Sequence, residues 1–364
     1  MNVPFLDLQR VHEPLANEFV DSFRSILQRS AFSSGKEIQE FEAAFAEFVG
    51  TKYCLGTCSG LSALMIGLRT AGVKPGDKII APTLTFVATL EAIRYISATP
   101  VLVDVDSHGS LDLKTTEEYL KQGVKFILPV HLYGMLADPI KLVNLAKKYN
   151  AVVIEDACQA HGAKNENIAA GTIGKVSAFS FYPGKNLGAL GDAGALCTDD
   201  ENVFKMAKAL REHGQLEKYH HTYEGYTARL DNIQAAFLLK KLPHLKKWTE
   251  ERISAAKTYY ELLQDADIAF QSNDFSGSHV FHLFVVVTKQ REKLISAFKS
   301  ANIGFGLHYP QPMHKLECYQ NQDWVKGEYP NAERFSKEAI SLPIFPGITR
   351  TEIVYVCDVI KKTL

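Results

Sequence analysis

Two residues in this sequence, a lysine and an aspartate, have types and positions that would let them carry chemistry together. Lys185 follows a strand-like run and a Pro-Gly turn in the segment SAFSFYPGKNLGALGDAGAL, and its neighbours are small and apolar. Such surroundings desolvate an amine, lower its pKa and make it a competent nucleophile toward an aldehyde. Asp156 ends the apolar run AVVIEDA, so its carboxylate emerges where a strand stops. Taken singly, each has a simpler interpretation, a surface lysine on a loop and an aspartate that caps a helix.

Together the two side chains have the arrangement that pyridoxal 5'-phosphate requires. A carboxylate beside a protonated pyridine nitrogen keeps the ring an electron sink, and a lysine binds the aldehyde. The segment TCSGLSALMIGL adds Gly60 and Leu61 at a predicted helix start, where free N–H groups and the helix dipole favour a phosphate dianion. Ser180, just before the lysine turn, is a candidate hydroxyl donor to the same phosphate. Phe86 could stack on the ring, although an aromatic residue at a strand end is more often part of the core.

The elements that must position these residues alternate along the first part of the chain. Between about residues 50 and 200, short β-branched runs alternate with amphipathic stretches, which predicts an α/β fold with a mainly parallel sheet. The predicted strands are Lys78–Ile80, Pro100–Val105, Phe126–Val130, Val152–Ile154, Ala178–Phe181 and Ala193–Cys197, and the predicted helices are Leu61–Leu68, Phe86–Ile96 and Asp138–Tyr149. Since ligands of open α/β sheets bind beyond the carboxyl ends of the strands, we expect the chemistry in the residues that follow each strand.

After Asp231 the pattern changes, and a second domain is predicted. A long helical stretch, Asn232–Leu263, is broken near Pro243. It is followed by a strand-like run and two helices, Val280–Thr288, Arg291–Ala301 and Thr351–Lys362. We therefore expect a large α/β domain with the N-terminal segment over residues 1–240 and a smaller C-terminal α+β domain over residues 241–364.

The composition indicates a globular cytoplasmic protein without nucleic-acid or membrane partners. The chain has 40 basic and 41 acidic residues among 364, and its formal charge of −1 provides no basic surface for nucleic acid. The apolar stretch Val280–Val287 is too short to span a bilayer, and the start MNVPFLDLQRVHEP is too polar for a signal peptide. The six cysteines stand singly, which is typical of free thiols in a reducing compartment, and no metal site is expected.

At this point the motifs add up to a family resemblance. The chain resembles the DegT/DnrJ/EryC1/StrS family of sugar aminotransferases, which have the aspartate aminotransferase fold, or fold type I. The similarity runs through almost the whole length, in VPFLDL, GTKYCLGTCSGLSAL, PTLTFVAT, PVHLYG, VIEDACQAHGA, SFYPGKNLGALGDAGAL, GYTARLDNIQAA, HYPQPMH and SLPIFPG. The pair EDACQAHGA and SFYPGKNLGALGDAG is highly specific, and the other motifs support it.

The resemblance implies roles for individual residues. Lys185 would form the internal aldimine and then shuttle protons, Asp156 would pair with the pyridine nitrogen, and Gln159 would reach the ring hydroxyl. Phe86 would stack on the ring face opposite the lysine. The phosphate would be held by Gly60, Leu61 and Ser180. In this family the GYxxRLD segment crosses from the partner subunit and donates an asparagine to the phosphate. Here that position is Thr227, whose shorter hydroxyl departs from the pattern, and Ser62 stands where many relatives have aspartate.

The resemblance also suggests a substrate. Family members that act at the 3-position of the sugar tend to carry a HYP-x-P-x-H stretch and a KYxH segment, both of which occur here. The expected reaction moves an amino group from L-glutamate to a dTDP-3-keto-6-deoxyhexose, in a homodimer with shared active sites, as a step of deoxyamino-sugar and glycan biosynthesis. The candidate substrate-binding residues are Tyr182, Tyr219, His221, Arg229, His308, Tyr309 and His314.

Several alternatives remain open. The sugar ketone could lie at the 4-position, and the histidines of the two stretches could simply pack loops. A sugar dehydratase is disfavoured because relatives with that activity have lost the lysine that Lys185 retains. A regulator or binding protein on the same fold is disfavoured by the retention of Asp156, Gln159, Ser180 and Lys185 together. An aminotransferase for ordinary amino acids is disfavoured by the family resemblance and by the lack of an obvious arginine near the C terminus for a bidentate carboxylate clamp.

Overall fold

The computed structural model describes residues 1–165 and 167–364. Its strands, in chain order, are β1 (Tyr53–Thr57), β2 (Lys78–Pro82), β3 (Thr99–Val103), β4 (Phe126–Ile127), β5 (Val152–Asp156), β6 (Lys164–Asn165), β7 (Ile168–Ala169), β8 (Val176–Ser180), β9 (Gly194–Thr198), β10 (Gln215–Glu217), β11 (His220–His221), β12 (Ala269–Phe270), β13 (Phe284–Val287) and β14 (Ala339–Leu342). Its α-helices are α1 (Gln9–His12), α2 (Ala16–Arg29), α3 (Lys36–Val49), α4 (Gly60–Ala71), α5 (Ala88–Tyr95), α6 (Leu113–Lys121), α7 (Pro139–Tyr149), α8 (Glu201–Arg211), α9 (Asn232–Lys241), α10 (Leu245–Leu263), α11 (Arg291–Ser300), α12 (Pro330–Glu338) and α13 (Arg350–Thr363).

A seven-stranded sheet organises the first two thirds of the chain. Its strand order is β1-β9-β8-β5-β4-β2-β3, and β9 runs antiparallel to both of its neighbours while the other pairs are parallel. The parallel strands therefore end at one edge of the sheet, and the residues that follow them meet there. This confirms the predicted α/β fold with a mainly parallel sheet.

Helices cover both faces of this sheet, which explains why its strands are apolar on both sides. Ile79 belongs to an apolar cluster formed with α4, α5 and α8, whereas its neighbour Ile80 belongs to another formed with α6 and α7. The helix α4 begins cleanly because the Ser59 hydroxyl accepts from the N–H of Ser62, and it ends at Gly72.

The remaining chain builds a second, smaller sheet, β12-β13-β14, which packs with α10, α11 and α13. The helical stretch that leads into it is broken by a 3₁₀ turn at Leu242–His244, which contains Pro243, as expected for a residue without an N–H. The N-terminal segment joins this part of the molecule, because Val3 forms a β-bridge with Ile303.

Some predicted elements end at other residues than expected. Strand β4 stops at Ile127, three residues before the predicted end, because Pro129 cannot donate to the ladder, and Val130 contacts Asp156 only through an isolated bridge. Other elements were not predicted, among them the strands β1 and β14 and the helices α2, α3, α6, α8 and α12. Across the described parts of the chain, none of the helices is both long and apolar enough to pass through a membrane.

Candidate active site

A cavity of about 630 Å³ lies at the carboxyl edge of the large sheet, between that sheet and the smaller C-terminal part. Ten of the residues predicted from sequence line it, namely Gly60, Leu61, Phe86, Asp156, Gln159, Ser180, Tyr182, Lys185, His308 and Tyr309. Residues far apart in sequence are thus brought together where the strand order predicts a ligand site.

Lys185 stands in a tight turn directly after β8. Its backbone N–H donates to the Tyr182 carbonyl at 2.8 Å, and the next side chain, Asn186, donates to the Val280 carbonyl at 3.1 Å. Burial lowers the pKa of the Lys185 amine, and the nearby Cys158 and Asp156 oppose the shift only in part. A lowered pKa leaves more of the amine neutral, which is the form that attacks a carbonyl.

Asp156 is the last residue of β5, and its carboxylate is almost fully buried. One oxygen accepts from the Thr89 hydroxyl at 2.8 Å, and the other accepts from the Cys158 N–H at 3.2 Å. Residues 157–163, all of which are described, form turns rather than a helix, so Asp156 does not cap a helix. The simpler interpretation of this residue is therefore wrong, and a buried carboxylate faces the cavity.

Gln159 has a fixed amide orientation. Its Oε1 accepts from the N–H of Tyr133 at 2.7 Å, while its Nε2 donates to the Tyr309 hydroxyl at 3.2 Å. Because the backbone N–H can only donate, the oxygen of the amide must face Tyr133, and the NH₂ group must face the cavity. Gln159 can therefore act toward a ligand only as a donor.

A cradle for an anion lies where α4 begins. Gly60 is the first residue of α4, and a Cβ at this position would come within 2.8 Å of Cys158 Sγ and of Ser180 Cβ. Glycine at this position thus allows the start of α4 to approach Cys158 and Ser180 closely. The helix N-terminus lines the cavity, and its N–H groups and dipole favour negative charge. The sequence-based prediction of Gly60, Leu61 and Ser180 falls on this cradle.

Aromatic residues form the opposite side of the cavity. The Phe86 ring lies 5.6 Å from the Tyr309 ring and is 52% exposed, so its face is open to the cavity. His308 Nδ1 is 2.8 Å from the Ser341 hydroxyl, and burial together with the charge of Lys185 lowers its pKa to about 4. His308 is therefore a neutral imidazole near neutral pH.

Four other predicted residues do not line this cavity within one chain. Tyr219 is 81% exposed, and His221 Nδ1 lies 2.9 Å from the His213 carbonyl oxygen, so the hairpin β10–β11 points outward. The Thr227 hydroxyl is 3.2 Å from His213 Nε2, and the Arg229 guanidinium is 3.4 Å from the Glu212 carboxylate. The segment of residues 215–229 thus presents these side chains on a surface away from Lys185.

His314 is also outside the cavity lining. Its Nδ1 lies 2.9 Å from the Thr83 hydroxyl and its Nε2 lies 3.2 Å from the Glu333 carboxylate. Both ring nitrogens are thus engaged in holding the loop that follows Tyr309 against β2 and α12.

Some residues of the cavity were not anticipated from sequence. They include Phe5, Leu6, Ser59, Thr89, Glu91, Asp192, His282, Leu283 and Ile344. Thr85 also lines the cavity, and it belongs to Thr83–Phe86, a segment after a strand where the sequence leads us to expect the chemistry. Phe5 and Leu6 arrive through the bridge between Val3 and Ile303, which no local pattern indicates.

The family profile of the DegT/DnrJ/EryC1/StrS aminotransferases matches residues 14–361. A pleiotropic regulatory protein of Geobacillus stearothermophilus is 38% identical, over 100% of this chain and 98% of that protein. A UDP-N-acetyl-3-dehydro-alpha-D-glucosamine 3-aminotransferase of Acidithiobacillus ferrooxidans is 36% identical, over 100% of this chain and 98% of that protein. A dTDP-3-amino-3,4,6-trideoxy-alpha-D-glucose transaminase of Streptomyces venezuelae is 37% identical, over 99% of this chain and 96% of that protein.

The fold is also that of solved relatives. The crystal structure of S. venezuelae DesV in complex with a ketimine intermediate superposes with a TM-score of 0.95 at 37% identity, covering 99% of this chain and 98% of that one. This agreement confirms the expected fold type I architecture.

Proposed function

We propose, from the premise that this chain belongs to the DegT/DnrJ/EryC1/StrS aminotransferase family, that it aminates a nucleotide-linked keto-sugar. Members of the family depend on pyridoxal phosphate, and the chain is an aminotransferase of this kind. The observation that carries the proposal is the meeting of Lys185, Asp156 and the Gly60 cradle in one cavity. Their retention favours catalysis over a purely regulatory role, although one relative bears the name of a regulatory protein.

The residues of the cavity fit the cofactor. An amine with a lowered pKa, a buried carboxylate, an amide donor and a helix N-terminus that lines the cavity match the aldehyde, ring nitrogen, ring hydroxyl and phosphate of pyridoxal phosphate. When bound, the cofactor supplies an electron sink for negative charge at the carbon that bears the amino group.

We infer distinct tasks for this chain's own side chains. Lys185 would accept and return the proton at the reacting carbon, because its amine lines the cavity and its lowered pKa leaves more of it in the neutral, basic form. Asp156 would keep the ring nitrogen protonated, and Gln159 would donate to the ring hydroxyl. Gly60, Leu61 and Ser180 would hold the phosphate and Phe86 would cover the ring, since all of them line the cavity.

The proposed sugar is a dTDP-3-keto-6-deoxyhexose, with L-glutamate as the amino donor. Two relatives named for 3-amino sugars support the 3-position, one acting on a UDP-linked and one on a dTDP-linked sugar. His308 and Tyr309 line the cavity near Lys185 and can contact the sugar, whereas His314 supports the loop from behind. The alternative is amination at the 4-position.

A homodimer with shared active sites is part of the proposal. The outward-facing segment of residues 215–229 carries Tyr219, His221, Thr227 and Arg229 on a surface of one chain, where a second copy could receive them. In such a dimer the Thr227 hydroxyl would take the place of the asparagine amide that relatives provide to the phosphate. Sedimentation should give a dimer, and a monomer with full activity at assay dilution would contradict this arrangement.

The division of the chain into domains over residues 1–240 and 241–364 also remains a proposal. The seven-stranded sheet lies wholly before residue 240 and the three-stranded sheet wholly after it, which supports the division. Limited proteolysis should cut near the Leu242–His244 turn before it cuts within either sheet.

Two measurements test the function. Reduction of the pyridoxal-phosphate-loaded protein with borohydride should label Lys185, and a label on another residue would overturn the cofactor assignment. The 3-keto and 4-keto isomers of the dTDP-sugar should then be offered separately with L-glutamate, and the new amine located by NMR. An amine at the 4-position alone would refute the 3-position, and no amine from either isomer would refute the sugar substrate.

A further inference from the structure

Two threonine hydroxyls form a line of hydrogen bonds that ends on the carboxylate of Asp156. Thr85 Oγ1 is 2.8 Å from Thr89 Oγ1, which is 2.8 Å from Asp156 Oδ2. Both threonines are 1% exposed and Asp156 is 6% exposed, so this line of hydrogen bonds is screened from bulk water.

The direction of each hydrogen bond follows from the chemistry of the groups. A carboxylate can only accept, so the single proton of the Thr89 hydroxyl must be given to Asp156. Thr89 then has no proton left for Thr85, and Thr85 must be the donor between the two hydroxyls. Thr85 therefore donates to Thr89, and Thr89 donates to Asp156. Because each hydrogen bond polarises the next donor, the first bond strengthens the second.

Each oxygen of this carboxylate is held by one protein donor. Oδ2 accepts from the Thr89 hydroxyl at 2.8 Å, and Oδ1 accepts from the Cys158 N–H at 3.2 Å. Since a carboxylate oxygen can accept more than one hydrogen bond, the carboxylate keeps room for an N–H donor on a ligand. The Thr89 hydrogen bond restrains Oδ2. Without it, the carboxylate of Asp156 could rotate more freely about its Cβ–Cγ bond.

The same helical turn also fixes the aromatic cover of the cavity. The Thr89 N–H donates to the Phe86 carbonyl at 3.1 Å as the chain enters α5. One turn thus places Phe86 at the cavity and the Thr89 hydroxyl behind the carboxylate, so the two have a fixed separation.

We propose that Thr89 is a positioning residue, which, with its hydroxyl oriented by Thr85, aims the carboxylate of Asp156 at the ring nitrogen of pyridoxal phosphate. The proposal rests on the function proposed above, but it concerns a residue whose effect passes through Asp156. A hydrogen bond to a charged group has a net value that corresponds to about tenfold to a hundredfold in an equilibrium or a rate.

The test compares Thr89→Val, which removes the hydroxyl at constant shape, with Thr89→Ser, which restores it. Thr116→Val is the matched control, because Thr116 is a fully buried threonine of α6 whose hydroxyl donates to the Asp112 carbonyl. Each variant is stripped of cofactor and titrated with pyridoxal 5'-phosphate, and the visible absorbance of the loaded protein is followed against pH. The values of kcat and KM are then measured with the amino donor.

We expect Thr89→Val to bind pyridoxal 5'-phosphate at least about tenfold more weakly and to lose at least about tenfold in kcat. Its absorbance transition should move along the pH axis, while KM for the donor stays within about twofold. Thr89→Ser and Thr116→Val should stay within about twofold of the wild type in all these values, and Thr85→Val should fall between. If Thr89→Val does not fold, Thr89→Cys carries the same test, because a thiol donates only weakly.

The proposal is overturned if Thr89→Val binds the cofactor and turns over within about twofold of the wild type. It is also overturned if Thr89→Ser is as impaired as Thr89→Val, because shape rather than the hydroxyl would then matter. The cofactor titration uses no sugar, so an error in the proposed sugar leaves this test intact. A borohydride label on Lys185 in every variant separates a failure of the positioning role from a failure of the cofactor assignment.

Discussion

The cavity has two walls that are built in different ways. The sheet wall consists of Gly60, Asp156, Gln159, Ser180 and Lys185, which stand at strand ends, at a helix start or in the turns that follow. The loop wall consists of Phe5, Leu6, His308, Tyr309 and Ile344, which lie outside regular elements. The sheet wall is held by β-ladders, whereas the loop wall is held by single contacts between distant segments.

Those single contacts join the loop wall to both ends of the chain. The backbone of Val3 pairs with residues 302 and 304, and the His308 ring meets the Ser341 hydroxyl and stacks on Phe5. The buried hydroxyl of Tyr133 donates to the His308 carbonyl and so connects this wall to the sheet. We infer that the residues of the sheet wall carry out the chemistry and that those of the loop wall determine how the sugar is oriented. Variants in each wall can test these two roles separately.

The largest effect is expected for Lys185→Ala in the sheet wall. This change removes both the nucleophile toward the cofactor aldehyde and the proton carrier, so transamination should fall to background. Lys147→Ala, which removes an exposed lysine of α7, should behave as the wild type. Mass spectrometry of the product checks both variants. Measurable turnover by Lys185→Ala would show that this lysine is not essential for the reaction.

A large but incomplete loss is expected for Asp156→Asn. A neutral amide does not stabilise a protonated ring nitrogen, so kcat should fall by about a hundredfold or more while the cofactor remains bound. Asp200→Asn is the control, because Asp200 caps α8 and asparagine caps a helix equally well. If kcat of Asp156→Asn stayed near that of Asp200→Asn, the carboxylate would have only a structural role.

The two walls also differ in how far the sequence predicts them. The sequence predicts that Lys185 and Asp156 lie together, because each ends or follows an apolar strand and parallel strands end at one edge, and both residues line the cavity there. Phe5 reaches the loop wall through a contact with residues about three hundred positions away, which no local pattern encodes. Tyr133 adopts a φ of 61°, a conformation rare for an aromatic residue, so its link to His308 was equally hidden.

A moderate effect confined to substrate binding is expected for Tyr133→Phe. The hydroxyl that donates to the His308 carbonyl is lost, but the backbone N–H that orients Gln159 stays. One net hydrogen bond corresponds to a few-fold change, so KM for the sugar should rise about threefold to tenfold while cofactor affinity is unchanged.

Tyr149→Phe is the control for that experiment. Tyr149 is a partly buried residue of α7 outside the cavity lining, and its hydroxyl donates to the Glu117 carboxylate at 2.7 Å. This variant also loses one hydrogen bond of a tyrosine hydroxyl, but it should not raise KM. A loss of cofactor affinity in Tyr133→Phe would show that the two walls do not act separately.

The smallest effect is expected for an ion pair that anchors the N-terminal segment of the loop wall. It should appear as a pH dependence of the free energy of unfolding. Arg10 follows Phe5 and Leu6 in the chain and makes a bidentate ion pair with Glu352 of α13, at 2.7 and 3.0 Å. The Arg10 hydrogen bonds are the largest cause that lowers the pKa of Glu352 from 4.5 to about 2. A carboxyl group whose pKa is lower in the folded state stabilises the fold above the ordinary pKa, and this stabilisation is lost as the pH falls through the folded value.

The stabilisation should therefore be complete at pH 7 and should decline from about pH 4.5 toward pH 2. Because Arg10 is 33% exposed, we expect the pair to contribute only on the order of 1 kcal/mol. Urea unfolding of the wild type, Arg10→Met, Glu352→Gln and the double variant at pH 7 and pH 3.5 gives the coupling energy at each pH. A coupling energy that does not shrink at the lower pH would show that the charge of Glu352 does not anchor the N-terminal segment, and the loop wall would then depend on the Val3 bridge and on packing alone.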